Sequence, residues 1–157
     1  MEIVPQLRRL GLTVAAAESC TAGYLSSLLT RTSGSSRVFL GGWIVYTPAA
    51  KRILCGLPEE EVRRVHGVSA PLAGRLAEGI RHTLHSDIGI AVVGFAGPDA
   101  PRPGDVGTGY IGLSTARRLR TEKFFITGNR NRVRVYAARR ALSLLDDELR
   151  AIRQGQK

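Results

Sequence analysis

The run Asp87–Phe95 (DIGIAVVGF) constrains the fold more than any other stretch, because Ile88 through Phe95 contains no charged or polar side chain. A strand with one wet face alternates apolar and polar residues. An unbroken apolar run of strand length needs cover on both faces, which only helices packed on either side of a sheet supply. A second run, Leu12–Ala17 (LTVAAA), asks for the same cover. The chain also supplies the helices. Residues 2–10 read as a short one, and in Cys20–Arg31 the leucines Leu25, Leu28 and Leu29 recur at helical spacing. Pro48–Leu54 starts on a proline suited to a first turn. Pro58–Val65 opens with acids, as the helix dipole favours, and Pro71–His85 follows a Ser69 N-cap. Asn129–Ile152 is the long final helix, with Val135, Ala138, Leu142, Leu145, Leu149 and Ile152 on one face. Val38–Tyr46 is a further strand, in which Gly41-Gly42 suggests a bulge. Gly109–Thr115 and Thr121–Thr127 complete the set, with a turn over Ala116–Arg120. Helices alternate with strands early, and strands follow one another late. The expectation is an α/β fold: a three-layer α/β/α sandwich on a mixed, mostly parallel sheet. The 157 residues suffice for one domain, with 150–157 as a flexible tail.

Several function classes are not expected. No apolar run approaches a membrane span, and Met1–Leu10, with Glu2, Pro5, Arg8 and Arg9, does not read as a signal peptide. Cys20 and Cys55 make neither a disulfide framework nor a zinc site, so a cytoplasmic location is the expectation. His82 and His85 lack a third ligand, and no metal or other cofactor is expected. The net charge of +10 attracts anions, and Arg117–Lys157 holds 12 Lys and Arg against 4 Asp and Glu. Those anions include nucleic acid, an anionic membrane and a phosphorylated small molecule; few aromatic residues interleave with the arginines, which argues against nucleic acid. Only Lys51, Lys123 and Lys157 are lysines, so a lysine in an uncharged setting stands out.

In such folds ligands sit beyond the carboxyl ends of strands. After the first strand comes Glu18-Ser19-Cys20-Thr21-Ala22-Gly23, where Ser19 is either an N-cap or a nucleophile and Cys20 is its rival. Amides near Thr21 and Gly23 are candidates to hold an oxyanion. After the next strand comes Tyr46-Thr47-Pro48-Ala49-Ala50-Lys51. A neutral lysine there can act as base for a serine, with Tyr46 as relay or scaffold. The loop opened by Gly94, Ala96 and Gly97, and continued to Thr108, can cradle a phosphate or a flat ring. Arg130, at the mouth of the last helix, is a candidate phosphate clamp.

Taken together, these segments resemble the CinA C-terminal domain, or PncC, family of nicotinamide-nucleotide amidohydrolases. The match carries Glu18–Gly23 (ESCTAG), Gly34-Ser35-Ser36, Tyr46 with Lys51, Val68-Ser69, Gly94–Pro98, Val106-Gly107-Thr108, and Gly128-Asn129-Arg130 with Val133-Arg134. The resemblance implies hydrolysis of nicotinamide mononucleotide to nicotinic acid mononucleotide and ammonia. Ser19 takes the place of the nucleophile, and Tyr46 and Lys51 assist it. It also implies a homodimer or other homo-oligomer. Many members carry this domain behind a nucleotide pyrophosphatase-like domain, which is missing here, so a stand-alone amidohydrolase is expected. Ala22 stands where the family has glycine, Val93 where Ser or Thr is common, Ala100-Pro101 for a Gly-Gly, and Asn129 for an acid. Those departures frame the alternative expectation, a non-catalytic nucleotide- or phosphate-binding module.

Overall fold

The computed structural model describes residues 2–155. Its elements run α1 (Ile3–Leu10), β1 (Val14–Glu18), α2 (Tyr24–Thr30), β2 (Phe39–Ile44), α3 (Pro48–Cys55), α4 (Glu59–Arg64) and α5 (Ala70–Thr83). They continue with β3 (Ile88–Gly94), β4 (Thr108–Ser114), β5 (Leu119–Phe125) and α6 (Arg130–Gly155). The five strands form one sheet in the order β2-β1-β3-β4-β5. β1 pairs in parallel with both β2 and β3, while β3–β4 and β4–β5 are antiparallel. Four strands therefore point one way and β4 alone opposes them. The sheet is mixed as expected, although its pairings divide evenly between the two kinds.

Both apolar runs are covered on two faces. On β1, Val14 and Ala16 face the layer of α1, α2 and α6, while Ala15 and Ala17 face the layer of α3, α4 and α5. On β3, Ile88, Ile90 and Val92 take the first side, Ala91 and Val93 the second. The period-2 pleat thus feeds two separate cores from one strand. The small side chains of β1 and two glycines let α5 sit close. A Cβ on Gly89 would lie 2.0 Å from the Ala77 carbonyl oxygen, and one on Gly112 would lie 2.1 Å from that of Ala73.

Three boundaries differ from the sequence expectation. α2 begins at Tyr24 rather than Cys20, because the Glu18 side chain takes the first free amides and holds residues 19–23 as turns. β5 begins at Leu119, since Thr115 hydrogen-bonds Arg118 and closes a shorter hairpin. Residues 150–155 of the expected tail continue α6, where Ile152 still packs on the core beside buried Leu149; 156 and 157 lie outside the described residues. Among the described residues no helix is long and apolar enough to cross a membrane.

The topology fixes where a ligand can sit. From β1 the chain goes through α2 to β2 on one side, then through α3–α5 to β3 on the other. The strand order therefore reverses at β1, and a crevice opens at its carboxyl end. The ends of β1, β2, β3 and β5, and the starts of β4 and α6, all gather there.

Candidate active site

A cavity of about 210 Å³ occupies that crevice. Ser19, Cys20, Lys51 and Gly94 line it, with Val68 and Phe95 as apolar walls. Tyr46, His66, Asp99 and Arg130 form its exposed rim.

The turn that carries Ser19 is built around Glu18. Its carboxylate, 1% exposed, accepts from the amides of Gly23 (2.9 Å), Leu25 (3.0 Å) and Ser26 (2.8 Å) and from the Ser26 hydroxyl (2.6 Å). An acid directly after a buried strand thus caps the following helix from a distance. From the other side Arg134 donates to the carbonyls of Cys20 (3.2 Å) and Thr21 (3.1 Å). The Ser19 amide donates to the Val92 carbonyl at 2.9 Å. Ser19, only 4% exposed, is held on three sides and does not N-cap α2, whose capping acceptor is Glu18.

These bonds settle which amides are free. Gly23 was a candidate oxyanion donor, but its N–H is committed to Glu18. The amides of Cys20 and Thr21 meet no acceptor among the described residues. Free amides on a turn beside a serine are the kind of donor an oxyanion site uses. The Thr21 side chain points elsewhere: it is fully buried, and its hydroxyl has no partner among the described residues.

Lys51 enters from the opposite layer. Thr47 N-caps α3 by accepting from the Ala50 amide at 3.2 Å, and Pro48 fills the first turn. Lys51 follows on the next residue and is 3% exposed. No salt bridge or side-chain hydrogen bond engages its ammonium among the described residues. Burial lowers its pKa from 10.5 to about 8, against an upward pull from Cys20. Its amine lies 2.8 Å from where a Cβ on Gly67 would be, so the turn between α4 and α5 packs directly on it. Cys20, the rival nucleophile, is pushed the other way: burial raises its thiol to about 11, which disfavours the thiolate.

Tyr46 reaches the same cavity but at its rim, 49% exposed. Arg130 donates one guanidinium N–H to the Tyr46 hydroxyl and another to the Gly97 carbonyl. It straps the end of β2 to the loop after β3, and Tyr46 hydrogen-bonds neither Ser19 nor Lys51. Of the other singled-out residues, Gly94, Ala96 and Gly97 line the cavity, while Thr21, Gly23 and Thr108 do not. Thr108 instead accepts the Phe95 amide at 2.9 Å and shapes the loop from behind. Sequence reasoning assigned no site role to His66 or Asp99 and missed the structural part of Glu18. Only Glu18 carried a usable signal, an uncompensated acid at the end of an apolar strand.

Three of the four departures from the family pattern have structural readings; nothing in the structure explains Ala100-Pro101. Asn129 accepts from the Arg132 amide at 2.9 Å, so it caps α6 as an acid would. Val93 is fully buried in the second core. Ala22 occupies the left-handed region at φ +47°, a conformation ordinarily left to glycine.

A larger cavity, about 500 Å³, lies at the opposite end of the sheet between the β4–β5 hairpin and the end of α6. Its acids are committed elsewhere. Glu148 is held by Arg118 at 2.5 and 3.1 Å, and Asp87 accepts from the Thr13 amide and hydroxyl. It holds no nucleophile beside a base.

Comparisons with known proteins identify the family and the fold. The family described as CinA C-terminal domain matches residues 1–149. A CinA-like protein of Myxococcus xanthus is 41% identical over 151 residues, covering 95% of this chain and 36% of that protein. A CinA-like protein of Acaryochloris marina is 41% identical over 148 residues, covering 92% and 35%. The chain thus spans about a third of the length of these curated relatives. A CinA superfamily protein from Klebsiella pneumoniae superposes with a TM-score of 0.88 at 26% identity, covering 95% of this chain and 94% of that one. The competence/damage inducible protein CihA of Agrobacterium tumefaciens gives 0.87 at 30% identity, with coverage of 92% and 90%. The chain belongs to the CinA C-terminal domain family.

Proposed function

We propose that this chain hydrolyses the carboxamide of nicotinamide mononucleotide to nicotinic acid mononucleotide and ammonia. The observation that carries the reading is that one cavity holds both a buried serine and a buried lysine that no acid neutralises among the described residues. A structural lysine is found exposed or paired, because an isolated buried ammonium is penalised by lost hydration. A lysine base needs the reverse, an environment that favours its neutral form.

The chemistry follows from the residues in place. Ser19 attacks the amide carbonyl, and its proton passes to the Lys51 amine as the new C–O bond forms. The amides of Cys20 and Thr21, which no acceptor takes among the described residues, receive the oxyanion. As the intermediate collapses, the C–N bond breaks and the Lys51 ammonium returns the proton to the departing nitrogen, which leaves as ammonia. Water then attacks the acyl-serine, losing a proton to Lys51; as the acyl C–O bond to Ser19 breaks, the Lys51 ammonium returns that proton to the serine oxygen and the nicotinate product leaves. Lys51 is thus the immediate base. Tyr46 and Arg130 shape the rim and hold the loop after β3. The monophosphate suits a chain of charge +10.

The test is ammonia release from nicotinamide mononucleotide by the wild type and by Ser19→Ala. Release that disappears in the variant supports the reading. Equal release by both removes Ser19 as nucleophile. Tight mononucleotide binding by the wild type without release identifies a binding module instead.

A further inference from the structure

The cavity is too small for a whole mononucleotide. Its volume of about 210 Å³ lies below the roughly 300–1,000 Å³ of sites that enclose a drug-sized ligand. With the carboxamide at Ser19, the ribose and phosphate must leave across the rim. Four polar side chains stand there: Tyr46, His66, Asp99 and Arg130. Arg130 is engaged by Tyr46 and by the Gly97 carbonyl. Asp99 carries charge of the phosphate's own sign. The His66 imidazole has no hydrogen-bond partner among the described residues. It also comes from the layer opposite α6, so His66 and Arg130 reach the rim of the cavity from opposite sides of the sheet.

The backbone adds a second observation. α4 ends in a turn in which the His66 amide donates to the Arg63 carbonyl (3.0 Å) and the Gly67 amide to that of Val62 (2.9 Å). His66 sits at φ +49°, the helix-ending position that glycine or asparagine ordinarily takes. Next to it, Gly67 is packed on the Lys51 amine, which fixes the turn against the site.

We propose that His66 is a specificity-determining residue that donates a hydrogen bond to the substrate's phosphate, making the site prefer a pyridine mononucleoside phosphate over the unphosphorylated nucleoside. This rests on the amidase reading for the direction in which the substrate lies.

The test is His66→Gly, assayed with nicotinamide mononucleotide and with nicotinamide riboside. Glycine suits φ +49° better than histidine, so the variant loses the imidazole without losing the fold. KM for the mononucleotide is expected to rise about tenfold, the order of one charge-assisted hydrogen bond. KM for the riboside and kcat for both are expected to stay as in the wild type. His66→Asn, which suits the same backbone and donates a neutral N–H, is expected to fall between. An unchanged mononucleotide KM, or an equal rise for both substrates, overturns the proposal. Calorimetric binding of nicotinic acid mononucleotide and its riboside separates the two readings. Loss of phosphate preference in His66→Gly with no ammonia release by the wild type leaves His66 in its role and ends the amidase. Ammonia release with the preference intact in His66→Gly ends the role of His66 alone.

Discussion

Replacing Lys51 by methionine should abolish turnover and make the protein more stable. Met fills a similar slender volume and needs no hydration. The gain follows from the titration of Lys51, at 10.5 when unfolded and at about 8 in the folded protein. Below pH 8 both states are protonated and the folded state bears the full penalty of a buried ammonium. Between 8 and 10.5 the unfolded chain binds more protons, so this penalty fades as pH rises. At about 1.4 kcal/mol per tenfold, it amounts to about 3 kcal/mol at pH 7 and about 2 kcal/mol at pH 9. Cys20 and Cys55, both raised to about 11 by burial, titrate in the opposite sense above pH 9. The difference between variant and wild type cancels most of their contribution. The assay is denaturant unfolding of both proteins at pH 7 and pH 9. The variant should exceed the wild type at both, by the smaller margin at pH 9. In activity, the same shift makes about one Lys51 in ten neutral at pH 7, about 300-fold more than an unperturbed lysine. The wild-type kcat/KM should therefore rise about tenfold per pH unit up to about 8 and then level. A variant no more stable than the wild type, or a margin that does not change with pH, would refute the claim that burial holds Lys51 near neutrality.

Two further substitutions test the turn that carries Ser19. Glu18→Gln turns one acceptor oxygen into a donor facing backbone N–H groups, so it should cost about 2–3 kcal/mol and lower Tm by about 5–10 °C, read by thermal melting, with ammonia release lost alongside. Ala22→Gly relieves the left-handed strain at φ +47°, and after glycine's own entropy loss it should stabilise by about 0.5–1 kcal/mol in the same melts while activity is kept or raised.

The layered fold was legible because it rests on local, periodic signals. The unbroken apolar β3 and the alanine-rich β1 announce a doubly covered sheet, and the Thr47-Pro48 and Ser69 caps mark helix starts directly. Lys51 was legible for a chemical reason, as a rare lysine among uncharged neighbours. What the sequence hides is what depends on distance. Glu18 binds amides five to eight residues away, and that long-range capping both delays α2 and removes Gly23 from the oxyanion candidates. Tyr46 lies five positions before Lys51 and lines the same cavity, yet its partner is Arg130, 84 positions on, a contact no spacing foretells. His66 has no local pattern at all. It matters because the turn between α4 and α5 folds back onto Lys51.

The most direct measurement is intact-protein and peptide mass spectrometry of the enzyme quenched during turnover of nicotinamide mononucleotide. The account predicts an acyl adduct of the nicotinate mononucleotide on Ser19, present in the wild type and missing from Ser19→Ala. An adduct on Cys20, or ammonia release undiminished in Ser19→Ala, would contradict it.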